Sequence, residues 1–236
     1  MGWTYDHCLE VSPVSARRLM RTLAVVAFSV LCACEAPTAA RPLAAYNPTT
    51  LTNGLLYRWT SGTTIHVWIV PQAPLSPFDL GVATRQGMVE WNTVPQFGEF
   101  TLASAERIED ADLIVYDRDQ PPPTQLGSCP FDPRNSTGYT YFCPDGGDPL
   151  RAERLLLASD PSHSVSLVIR VDLGRVTSQS GLHALMTHEL GHALGIGGHS
   201  DQPLDVMFGL PSVVTPSARD GATLRYLLGQ NPDLIL

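Results

Sequence analysis

The chain has 236 residues, 44% of them hydrophobic, enough for one domain of ordinary size with a real core plus an export segment. All fifteen basic residues are arginine, and the lack of lysine excludes the phosphate-binding Walker loop, Schiff-base and pyridoxal chemistry, and kinase-type catalysis. A net charge of −8 argues against nucleic acid, whose backbone needs a basic face to displace counterions.

In chain order, the first feature is the apolar run Leu23 to Ala33, preceded by Arg17, Arg18 and Arg21. It is too short to span a bilayer comfortably and reads as a secretory signal over residues 1–33, with Met20 as an alternative start. Leu31-Cys32-Ala33-Cys34 resembles a bacterial lipobox, which would make Cys34 a lipidated N-terminus. Cys32 departs from the small or aliphatic residue usual there, so cleavage near Ala36 to Ala40 is the alternative. The expectation is an envelope lipoprotein facing outside the cytoplasm, or a secreted protein if no lipid is added. Residues 34–52, rich in Ala, Pro, Thr and Asn, read as a flexible tether, leaving 53–236 as the domain.

Thr63 to Val70 alternates, with Ile65, Val67 and Ile69 on one side, and reads as a strand ending at Pro71. Ser76-Pro77-Phe78-Asp79 offers an N-cap, a proline at the first helical position and a carboxylate three residues on, so a helix is predicted from Ser76 to before Pro95. Strands are predicted at Glu99 to Ala103 and Asp112 to Tyr116, the latter apolar enough to be buried on both faces. From Arg118 to about Ser162 the chain is rich in Pro, Gly, Asp and Asn and needs fastening. With Cys34 taken by lipid, Cys129 and Cys143 remain as a pair in an oxidising compartment; their disulfide would contribute on the order of 3 kcal/mol, the alternative being two free thiols. Asp132, Asp145, Asp148 and Asp160 offer oxygen ligands for Ca2+, but they lack calcium-loop spacing, which favours ordinary turn residues. Val165, Leu167, Ile169 and Val171 alternate as a last strand, and helical periodicity runs from about Gly181 to Leu194.

That helix carries His188-Glu189-Leu190-Gly191-His192. Residues four apart lie about 40° apart around a helix, one turn above each other, so both imidazoles reach one metal. Glu189, rotated about 100° from His188, can stand beside the metal without ligating it and hold a water. Gly195 follows as a helix stop, and Gly197-Gly198 allows a reversal that returns His199 towards the first two.

Here the sequence resembles the metzincin metallopeptidases, and within them the matrixin-like branch, whose motif is H-E-x-x-H-x-x-G-x-x-H with a Met-turn beyond. Gly198 stands where the pattern has its third histidine, so His199 is matched with one extra residue absorbed by the glycine pair. Met207 matches the Met-turn, with Phe208 after it and no tyrosine ligand expected. Thr215-Pro216 reads as the cap of a C-terminal helix bearing Leu224, Leu227 and Leu228 and stopping at Gly229. The resemblance covers roughly Leu55 to Gly229. It implies an α+β zincin domain with a small, twisted, mostly parallel sheet, an N-terminal helix, an active-site helix, the Met-turn and a C-terminal helix.

The resemblance further implies a zinc endopeptidase in which His188, His192 and His199 hold Zn2+, Glu189 is the general base, and Gly195 and Met207 support the site. The strand at about Ser164 to Asp172 is expected to pair with an extended substrate. Asp201 or Asp205 is the substitute third ligand if His199 points outward, while His66, His163 and His183 are assigned no role. The expected partners are a protein or peptide substrate and a membrane through the lipid anchor, with no nucleic acid and a monomeric chain. Two competing readings are a zinc-containing cell-surface binding protein without catalysis and a zinc hydrolase of a non-protein envelope polymer; Glu189 speaks against the first.

Overall fold

The computed structural model describes residues 45–51, 54, 56–73, 76–123, 136–143 and 166–236, all within the unit Pro37–Leu236. In order they form β1 (Tyr57–Arg58), β2 (Thr63–Ile69), α1 (Leu80–Asn92), β3 (Phe100–Ser104), β4 (Leu113–Asp117), β5 (Gly138–Cys143), β6 (Ser166–Val171), α2 (Gln179–Ala193), α3 (Ala218–Leu228) and β7 (Leu234–Ile235). The fold is α+β. Five strands make one sheet in the order β3-β2-β4-β6-β5, parallel throughout except for β5, which runs antiparallel to β6 at the edge. β1 and β7 pair separately and tie the two ends of the domain together.

Period-two alternation decides the layers. Ile65, Val67, Leu113, Val115, Leu167 and Ile169 turn to one face and meet Leu80, Met88 and Trp91 of α1 and Leu182, Met186 and Leu190 of α2 in the main core. Ile114, Tyr116, Tyr141 and Val168 turn the other way into a smaller cluster under Trp68 and Ile108. β4 is therefore buried on both faces, as its unbroken apolar run predicts. The two core helices approach closely where α1 has Gly87, since a Cβ there would lie 3.0 Å from a methyl of Leu190. Trp91 fastens the pair by donating from Nε1 to the Thr187 carbonyl at 2.6 Å.

Several expectations need correction. The first helix begins at Leu80, not at Ser76: Asp79 is the N-cap and accepts from the Val82 N–H at 2.7 Å, while the Ser76 hydroxyl donates to the Phe78 carbonyl. The last helix is capped by Ser217 in a capping box with Asp220, two residues after the Thr215 expected. The strand at 166–171 has neighbours on both sides and offers no free edge to a substrate; the edge belongs to β5, which lies inside the segment read as irregular. Residues 45–51, at the end of the stretch read as tether, pack on the domain, with Ala45 and Tyr46 each 6% exposed. The signal and lipid-anchor residues, Cys129, His163, Asp132, Asp145, Asp148 and Asp160 lie outside the described residues. No described helix is long and apolar enough to cross a membrane.

Candidate metal centre

The site is built on α2. Ser178 caps its start by accepting from the Gly181 N–H at 3.0 Å. Its end is a Schellman turn: the Ile196 N–H reaches the Gly191 carbonyl at 3.1 Å and the Gly195 N–H the His192 carbonyl at 2.9 Å. Gly195 has φ +112°, and a Cβ there would lie 2.5 Å from the Tyr57 carbonyl oxygen, so both conformation and space demand glycine. Trp59 donates from its indole N–H to the Ala193 carbonyl at 2.9 Å, and the Tyr57 hydroxyl donates to the His192 carbonyl, satisfying acceptors at the helix end.

After that turn the chain doubles back. A Cβ at Gly198 would meet the Asn47 carbonyl oxygen at 2.3 Å and the Thr50 hydroxyl at 2.7 Å, and the Leu51 N–H donates to the Gly197 carbonyl at 2.7 Å. The N-terminal segment thus fills the space a side chain at 198 would need. The imidazole is carried one residue later, at His199.

His188, His192 and His199 each bring a ring nitrogen to one place, all within 4.8 Å of one another. Nδ1 of His188 lies 2.8 Å from the Val206 carbonyl and Nδ1 of His192 lies 2.6 Å from the Ile196 carbonyl. A carbonyl only accepts, so both Nδ1 atoms carry the proton and both Nε2 atoms present lone pairs. Those two Nε2 atoms are 3.2 Å apart. Two lone pairs facing each other at that separation repel unless a cation lies between them. Two nitrogens on a tetrahedral zinc at about 2.0–2.1 Å would be about 3.3 Å apart, so the residues present fit the ion. Burial pushes the His188 imidazole down to about 4 and those of His192 and His199 below their ordinary value, keeping the rings neutral and ready to ligate.

Met207 is fully buried beneath the helix, its Sδ only 2.2 Å from where a Gly191 Cβ would stand, with Trp91 at 2.8 Å from the same point. The glycine inside the histidine motif is thus the notch that receives Met207. The turn is held by the Ser200 N–H, which donates to the Met207 carbonyl at 2.8 Å, and by Asp220. The Asp220 carboxylate, fully buried, accepts from the Val206 N–H at 2.8 Å, the Ser217 N–H at 2.8 Å, the Tyr46 hydroxyl at 2.7 Å and the Met207 N–H at 3.4 Å. Since Val206 in turn accepts from His188, Asp220 orients a ligand at one remove.

Glu189 is 4% exposed, and Thr140 of β5 places its hydroxyl 2.7 Å from Oε2 and 3.0 Å from the Glu189 carbonyl. Burial pushes its carboxyl up to about 7, against the pull of the Thr140 hydrogen bonds. Gly138 clears room for it, since a Cβ there would lie 2.6 Å from Oε1. These groups line a cleft of about 460 Å³, walled also by Leu51, Leu185, Leu210 and Pro211.

The alternative ligands are engaged elsewhere. Asp201 is exposed and pairs with Arg219 at 2.9 Å; Asp205 is buried between the hydroxyls of Ser200 and Ser217. His66 sits on β2, 3.2 Å from Asp112, and His183 lies away from the cleft on α2. Thr140, Gly138, Tyr46 and Asp220 went unread in the sequence. Only Asp220 carried a usable signal there, the Ser-x-x-Asp spacing ahead of an apolar helix.

No protein-family model matches the chain, and no curated protein does. Two solved structures of myroilysin resemble it. One is 20% identical over 62% of this chain and 46% of that chain, with a TM-score of 0.35. The chain therefore spans under half the length of that structure. The other is 12% identical over 78% of this chain and 88% of that chain, with a TM-score of 0.40.

Proposed function

We propose that the protein is a zinc-dependent endopeptidase of metzincin type, matrixin-like in its ligand motif and Met-turn. The observation that carries this reading is the convergence of three neutral imidazoles beside a buried carboxylate that ligates nothing. Nε2 of His188, Nε2 of His192 and a ring nitrogen of His199 would hold the ion. Bound there, zinc supplies a Lewis acid that polarises a carbonyl and lowers the pKa of water to about 7. A purely structural zinc is closed by a fourth protein ligand, and no fourth joins the cluster among the described residues.

The chain's own residues do the rest. Glu189 accepts a proton from the water that attacks the peptide carbon and delivers it to the departing amine nitrogen as the C–N bond breaks. Edge strand β5 supports an extended peptide as substrate over a compact polymer. Thr137 accepts from the Asp172 N–H across the β5–β6 pair, so ladder alternation turns the main-chain groups of Gly138, Thr140 and Phe142 away from β6 beside the cleft, with the Thr140 N–H directed at Glu189 and the Gly138 carbonyl at the Ser136 hydroxyl. The basic and apolar run before Cys34 supports export and lipid anchoring of this activity outside the cytoplasm.

The test is metal analysis and digestion of an unfolded protein by the full chain and by Glu189→Ala. The wild type should hold one zinc, lose cleavage to a chelator and regain it with zinc. The variant should keep its zinc and lose about 100-fold or more in kcat. Zinc-loaded wild type that cleaves no peptide bond, or a variant at wild-type rate, would overturn the reading.

A further inference from the structure

The Glu189 side chain is held from β5: the Thr140 hydroxyl lies 2.7 Å from Oε2 and 3.0 Å from the Glu189 carbonyl oxygen, so one side chain meets both the carboxyl and the main chain of the residue it steadies. No other side chain among the described residues shares a hydrogen bond with the Glu189 carboxyl. Two residues earlier on the same face of β5, Gly138 leaves the space that Oε1 occupies. The Thr140 main chain turns its N–H towards that carboxyl, while by ladder alternation its C=O faces the open edge.

We infer that Thr140 is a positioning residue that holds the Glu189 carboxyl in place beside the three imidazoles and links its placement to the strand edge on which an extended peptide docks. The link is mechanical: the residue whose carbonyl faces the docking edge grips the proton acceptor from the same point on β5. The kinetic part of this inference rests on the peptidase reading; the grip on Glu189 does not.

The test compares Thr140→Val, which keeps the β-branched shape and removes the hydroxyl, with Thr140→Ser, which keeps the hydroxyl, both in the zinc-loaded full chain. Thr140→Val should lower kcat about 10- to 100-fold. KM should stay within about twofold and zinc content should not change. Thr140→Ser should retain most of the activity. Gly138→Ala, whose new methyl displaces Oε1, should reproduce the loss in kcat without touching the hydroxyl. Crystal structures of the zinc-loaded variants give a readout free of turnover: the Glu189 carboxyl should keep its place in Thr140→Ser and leave it, or spread over more than one rotamer, in Thr140→Val. Wild-type kcat in Thr140→Val, or a Thr140→Ser variant as impaired as the valine, would overturn the inference. If zinc-loaded wild type proves inactive, the peptidase reading falls alone, and a Glu189 carboxyl unmoved in Thr140→Val would then sink the assignment of Thr140.

Discussion

Replacing Asp220 by alanine should do more damage than its distance from the histidines implies. The carboxylate receives three good hydrogen bonds, from the Val206 and Ser217 N–H groups and the Tyr46 hydroxyl, and a longer one from Met207. Alanine leaves all of those donors without an acceptor around a residue that is fully buried. At about 1–3 kcal/mol for each orphaned donor, offset by the desolvation of a charge no longer buried, the net cost is about 4 kcal/mol. For a domain of this size that lowers the melting temperature by about 8–16 °C. Asparagine should cost only about 1–2 kcal/mol, because its carbonyl can keep both backbone donors while its amide faces Tyr46, whose hydroxyl can turn and accept. Thermal unfolding of wild type and both variants, each with zinc and after chelation, measures the effect. An alanine variant that melts within about 2 °C of wild type would refute the reasoning, as would an asparagine variant equal to it.

Two further outcomes follow from the same geometry. His199→Ala should weaken zinc binding by more than about 100-fold, beyond what the loss of an outer partner costs, as read by competition with a chromogenic chelator; wild-type affinity would mean that a different group completes the triad. In the metal-free chain the three histidines have folded-state values below the ordinary one, so the unfolded chain binds more protons and stability falls as pH drops below about 6.5. Glu189, pushed up to about 7, works the other way, losing its contribution as pH rises from about 4.5 to 7, and so offsets one of the histidines. The net expectation is a metal-free chain less stable at pH 4 than at pH 7, measured by urea unfolding of chelated protein; a flat profile there would contradict the burial of His188 and His192.

Local chemistry makes the histidine-bearing helix readable. His188, Glu189 and His192 are placed by the helical period alone, and Gly195 by the demands of a helix stop, so spacing was enough to put them together. His199 needed more: the reason it stands one residue late is the Asn47–Thr50 backbone lying against Gly198, a contact some 150 positions apart in the chain. The same holds for Thr140 and Tyr46. Each reaches its partner through tertiary packing, the first across the sheet-to-helix interface and the second across |i−j| of 174 residues, and neither sits in a local pattern. β5 is hidden in the sequence because Gly138 and the flanking proline- and glycine-rich stretches conceal a short strand whose alternation, Tyr141 into the smaller core cluster and Thr140 towards Glu189, emerges only against β6. The helix starts were misread by a few residues because competing caps stood side by side, Ser76 against Asp79 and Thr215 against Ser217, and the carboxylate or hydroxyl with a free N–H in reach won.

The packing of residues 45–51 redraws where the working unit begins. Trimming the chain at residue 53, where composition changes, would strip the hydroxyl from one buried acid and uncover the glycine hairpin behind the third imidazole. A protease that nicked this seam would therefore loosen the site without approaching its cleft, and a shortened recombinant form would misreport both the robustness of the domain and its appetite for metal.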